Sequence, residues 1–88
     1  MTQAYSYDNQ SFPDAQLINL LRVDPPTVVC QGSKIDLFAG LMRDGVLFTP
    51  VQVAAHGGRY TVVNGAHRYW SSQKIGYPSI PALIANPK

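Results

Sequence analysis

Eighty-eight residues, 45% hydrophobic and only 14% charged, provide for one domain with a small core and exclude a disordered chain. The formal net charge of +2 is too small to mark a nucleic-acid binder by itself, and the lone Cys30 excludes an internal disulfide and a cysteine-based zinc site. All five acidic residues are Asp and fall within residues 1–44, where three cations leave −2, while residues 45–88 carry four cations and no acid, or +4. The second half can therefore build an anion site, but no carboxylate pair for acid–base chemistry and no multi-carboxylate metal cage. No apolar run approaches the roughly 18 residues needed to span a bilayer. The polar N-terminus is no secretory signal, so the expectation is a soluble cytoplasmic protein with no membrane partner.

Residues 1–14 hold Tyr5, Tyr7, Asn9, Ser11 and Pro13 without a period. They read as a loose arm, pinned at most by an aromatic, ahead of a single domain over residues 15–88. Gln16 to Val23 is a candidate strand, although its leucines suit a helix nearly as well. Asp24-Pro25-Pro26 stops it, because proline removes a donor and restricts its predecessor. Ser33 is a candidate cap for a helix over 34–44, with Asp36 at its positive end. Ile35, Phe38, Leu41 and Met42 form its apolar stripe, and Gly45 its stop.

Pro50 to Ala55 alternates as a strand, His56-Gly57-Gly58-Arg59 is a hairpin turn, and Tyr60 to Val63 returns. A second helix covers Ala66 to Ile75 and ends at Gly76. Ile80 to Ala85 is a last strand, in which Pro81 predicts an edge or a bulge. Strand, helix, hairpin, helix, strand is the order of a small α+β domain, a mixed sheet with two main helices against it.

The chemistry concentrates at Val62-Val63-Asn64-Gly65-Ala66-His67-Arg68-Tyr69, where a strand enters a glycine turn and a helix starts at once. The first turn of a helix carries N–H groups without intrahelical partners and the positive end of the macrodipole. Gly65 permits close backbone approach, and His67 and Arg68 add side-chain donors, which together describe a phosphate or anion pocket. Asn-Gly before a helix is also plain turn chemistry, with Arg68 a solvated surface residue, and the residues alone leave both readings open.

Extended to Asp44-Gly45-Val46-Leu47, Pro50-Val51-Gln52-Val53 and Gly76-Tyr77-Pro78-Ser79-Ile80-Pro81-Ala82, this pattern resembles the ParB N-terminal and sulfiredoxin superfamily, the ParB-like nuclease fold. The resemblance covers residues 16–86. It implies that Asn64, Gly65, Ala66, His67 and Arg68 bind a nucleotide's phosphates, with Thr49 facing them from the loop before Pro50 and Arg59 within reach. It implies ATP or CTP as ligand, with Mg²⁺ brought by the nucleotide and no metal held by the chain itself.

The departures matter as much. Sulfiredoxins carry a reactive cysteine and ParB proteins a turnover glutamate where this chain has Ala66. The domains that follow in chromosome-partition ParB proteins are not present in these 88 residues, so the expectation is a stand-alone minimal member. Any hydrolysis or phosphoryl transfer would use Asp44 or His67 to position the nucleophile. The leading expectation is an NTP-binding module with, at most, weak hydrolysis or a DNA-related regulatory role. One alternative is a non-catalytic modulator of phage or plasmid type that binds a protein partner. A weaker one is a metal-dependent nuclease, which normally needs two or more carboxylates at the metal, where this chain has at most Asp36 and Asp44 in range, both on one helix. Trp70, just past Arg68, is a candidate for base stacking or partner binding, with core packing as the other reading.

Overall fold

The computed structural model describes residues 3–85; residues 1 and 2 of the arm and 86–88 of the domain lie outside the described residues. Strands β1 (Gln16–Asn19), β2 (Val23–Asp24), β3 (Val51–His56), β4 (Arg59–Asn64) and β5 (Ser79–Ala85) form one mixed sheet in the order β1-β5-β3-β4-β2. β1 runs antiparallel to β5 and β3 to β4, whereas β3–β5 and β2–β4 are parallel. Helices α1 (Gly32–Arg43) and α2 (Ala66–Ile75) pack on each other, and α2 also contacts β3 and β5. This is the expected α+β architecture.

The core shows why these segments pair. Val51 and Val53 alternate inward from β3 and meet Ile80 and Ala82 of β5, with Ile18 of β1 and Val23 of β2 beside them. Met42 from α1 and Tyr69 from α2 close the other side. β3 and β4 join through Gly57 and Gly58 with φ of 55° and 79°, the positive values a two-residue hairpin of this hand requires.

Several local expectations change. Gln16 to Val23 is not one strand: after Asn19 the chain makes a 3-10 turn, its Leu21 N–H held by the Asn19 Oδ1 at 2.8 Å, before β2. The first helix starts earlier than Ser33, at Gly32, with Gln31 as cap residue and no side-chain cap. Pro81 is not on an edge strand, since β5 lies between β1 and β3. It is tolerated because the parallel ladder to β3 begins only at Val51 opposite Ala82, one step past it.

The segment read as a loose arm is laid down on the domain. Tyr5 is buried in the core, the Phe48 N–H donates to the Ser6 carbonyl, and the Ser79 N–H donates to that of Gln3. The Tyr5 hydroxyl donates to the Thr49 carbonyl at 2.7 Å. Burial drives this phenol well above its ordinary range, against a smaller opposing pull from the Arg68 charge.

Candidate functional site

β4 runs straight into α2 through Asn64 and Gly65. The register between β3 and β4 shifts after Gln52, which pairs with Asn64, while Val53 pairs with Val62. Val63 is thus an extra residue on β4, a bulge that turns the strand end toward the helix. Gly65 follows with φ of 112°. A Cβ there would lie 2.8 Å from the Val51 Cγ1 and 3.1 Å from the Arg68 Nη2, so only glycine lets strand, helix and guanidinium come this close.

The first intrahelical bond of α2 runs from the Tyr69 N–H to the Gly65 carbonyl, which leaves the amides of the first turn unclaimed within the helix. No side chain caps that end and no acidic residue lies in its first turn. The positive end of the helix is therefore uncompensated by the chain.

These amides border a cavity of about 550 Å³ lined by Asp24, Pro25, Pro26, Thr27, Val28, Phe38, the β4 residues Thr61 to Asn64, and Gly65, Ala66, His67 and Arg68. Its size suits a small-molecule ligand. Of the residues singled out from sequence, the fold brings Asn64, Gly65, Ala66, His67 and Arg68 together around it. Thr49, Asp44 and Trp70 are not among its lining residues. Thr49 enters through its main chain, because the Arg68 Nη1 donates to the Thr49 carbonyl at 2.6 Å and to that of Pro50 at 3.0 Å. Asp44 is exposed at the far end of α1 as its C-cap residue. Trp70 is half-buried against the core, edge-on to Tyr69 at 5.0 Å between centroids.

His67 links the two helices. Its Nε2 accepts from the Gln31 N–H at 3.4 Å, and its ring meets Phe38 edge-on at 6.2 Å. One ring nitrogen is thus committed to the start of α1. Ser71, one turn on, donates from its hydroxyl toward the His67 carbonyl at 2.7 Å and the Ile35 carbonyl at 3.0 Å.

Asp24 and Thr61 are the residues that sequence reasoning missed. Asp24 is the one carboxylate lining the cavity, brought there by parallel pairing of β2 with β4, Asp24 opposite Thr61. The Arg59 Nε donates to its Oδ1 at 2.6 Å, and the His56 Nε2 lies 3.7 Å from its Oδ2. His56 also contacts the Thr61 hydroxyl. The proline pair after Asp24 signalled a chain break but not its destination, because a two-residue parallel strand has no periodicity to read.

The cavity does not build a metal cage. Among the described residues no group of three or more His, Cys, Asp or Glu side chains converges. One carboxylate and the Asn64 amide are too few ligands to hold Mg²⁺ without oxygens from a ligand.

Solved structures share this architecture. The Arabidopsis thaliana sulfiredoxin superposes with a TM-score of 0.74 at 26% identity, covering 83% of this chain and 85% of that one. The C-terminally truncated chromosome-partitioning protein ParB from Caulobacter crescentus, solved with CTP-gamma-S, gives 0.70 at 16% identity over 84% of this chain and 45% of that one. The chain is a ParB/sulfiredoxin-like domain. Sequence relatives agree: an ATP-dependent L-serine kinase from Staphylothermus marinus is 31% identical over 70 residues, 77% of this chain. A nucleoid occlusion protein from Bacillus cereus is 26% identical over 84 residues, 90% of this chain. The domain spans only 28% and 29% of the length of these two relatives. No protein-family model matches it. Among the described residues no helix is long and apolar enough to cross a membrane.

Proposed function

We propose that the cavity at the start of α2 binds a nucleotide through its phosphates. The observation that carries this reading is the uncapped, acid-free first turn of α2 opening into a 550 Å³ cavity, with Arg68 and His67 beside it. The relatives named for ATP and CTP-gamma-S support it. In this reading the amides of Ala66, His67 and Arg68 take phosphate oxygens. The Arg68 guanidinium, steadied by two carbonyls through Nη1, offers its remaining N–H groups to the same anion. Pro25, Pro26 and Val28 give the nucleoside an apolar wall. Mg²⁺ would arrive with the nucleotide and screen its charge.

The geometry favours binding over turnover. The His67 Nε2 is engaged with the Gln31 amide, and Asp44 does not line the cavity. Asp44 is therefore not placed to orient a nucleophile at a phosphate on α2, and His67 lies beside that phosphate with its Nε2 already engaged. Protein or nucleic-acid partners find less support, since Trp70 packs on Tyr69 and two cations of the basic half are paired with Asp residues.

An NMR titration with ATP and CTP, with and without Mg²⁺, tests the reading. Amide shifts concentrated at residues 61–68 and at Asp24, Thr27 and Val28 are expected. No shift at millimolar nucleotide in either condition would refute it. The wild-type chain is the right probe, because Arg68 also ties down residues 49 and 50, and its removal would confound binding with folding.

A further inference from the structure

Asp24 stands in the same cavity as the α2 turn but at its opposite end. Asp24 is level with Thr61 on β4, and Gly65 lies four residues further along. At the rise of an extended strand, with the Val63 bulge taking up part of the span, this sets the Asp24 backbone roughly 10–13 Å from the helix start. That is too far for Asp24 to act on a phosphate seated on α2. It matches instead the reach from the outer phosphates of a nucleotide to the edge of its base.

The carboxylate is prepared for such a contact. The Arg59 Nε takes Oδ1 at 2.6 Å and fixes the group. The Oδ2 has His56 at 3.7 Å, outside hydrogen-bond distance, and so keeps its acceptor capacity. Pro25 and Pro26, next in the chain, flank it with apolar surface.

Resting on the nucleotide reading above, we infer that Asp24 selects the base: its free oxygen accepts a hydrogen bond from an exocyclic amino group, so the cavity prefers adenine or cytosine nucleotides over those with a carbonyl at that position. A carboxylate facing a carbonyl oxygen sets acceptor against acceptor, which is the discriminating element.

Two ligand pairs isolate the amino group, ATP against inosine triphosphate and CTP against UTP, with inorganic triphosphate as a probe lacking base and sugar. Titration calorimetry on the wild-type chain is expected to give roughly tenfold tighter binding of the amino member of each pair. In Asp24→Asn the advantage is expected to fall below about threefold, with triphosphate affinity unchanged. Equal affinities within both pairs, while triphosphate still binds, would overturn the inference and leave the nucleotide reading standing. Absence of binding by every probe, triphosphate included, would overturn both. Because the wild-type comparison needs no variant, a folding defect in Asp24→Asn leaves the inference open to refutation.

Discussion

At Gly65 backbone conformation and packing impose the same residue. Its φ of 112° is costly for any side chain, and the space a Cβ would take is filled by the buried Val51 and by Arg68. Gly65→Ala is therefore expected to destabilise the domain by roughly 2–4 kcal/mol, read from the urea midpoint. A loss under about 0.5 kcal/mol would mean that the turn relaxes freely. Tyr5 acts at the same place from the other side, since its hydroxyl and Arg68 share the Thr49 carbonyl. Tyr5→Phe should cost about 0.5–1.5 kcal/mol at neutral pH. It should also alter the alkaline limb. The folded-state pKa of Tyr5 is raised by burial, so the folded state keeps its proton after the unfolded chain begins to lose it. That contribution is intact below the ordinary tyrosine value of about 10 and is lost as pH climbs above it. Tyr69, also raised by burial and secondarily by the Asp24 charge, acts in the same direction. Urea midpoints compared at neutral pH and above pH 10 should fall less for Tyr5→Phe than for wild type; an equal fall would remove Tyr5 from this account.

Between elements, α1 and α2 meet through the Ser71 hydroxyl as well as through apolar contacts. The residue is fully buried, and truncation to alanine leaves the Ile35 carbonyl without that donor. Ser71→Ala is expected to cost about 1–2 kcal/mol, measured by thermal or urea unfolding, with the amide of Gln31 showing faster exchange as α1 loosens over His67. The elements themselves were largely legible. Ala66 to Ile75 carries its own start and stop, Gly65 and Gly76, both left-handed in the structure. The hairpin was written in Gly57-Gly58 for the same reason. What could not be read is non-local. The Asn19 side chain ends β1 by taking the Leu21 amide, and β2 exists only because β4 pairs with it. The turn into α2, being contiguous, was visible as residues 64–68. Asp24, joined to it by that parallel bridge, was not.

Over the whole molecule the charge asymmetry of the sequence is not a charged face of the fold. Of the four cations in the acid-free half, Arg59 is paired with Asp24 and Lys74 with Asp36, both acids from the first half. Arg68 is turned onto two carbonyls, and Lys88 lies outside the described residues. The pairs are solvent-exposed and contribute little stability, about 0–1 kcal/mol each. Their consequence is electrostatic. Among the described residues Arg22, Lys34, Arg43 and Arg68 are the cations without an ion-pair partner, and they stand in the 3-10 turn, at opposite ends of α1 and in the first turn of α2. These cations do not line up along one face-forming element. Each phosphate neutralised on DNA steepens the dependence of log K on log salt by about 0.9, so four dispersed cations allow a slope no steeper than about −4. Fluorescence anisotropy with a labelled duplex from 50 to 200 mM salt should return weak binding with a slope in that shallow range. A slope near −6 or steeper would mean that the pairs to Asp24 and Asp36 open to present Arg59 and Lys74.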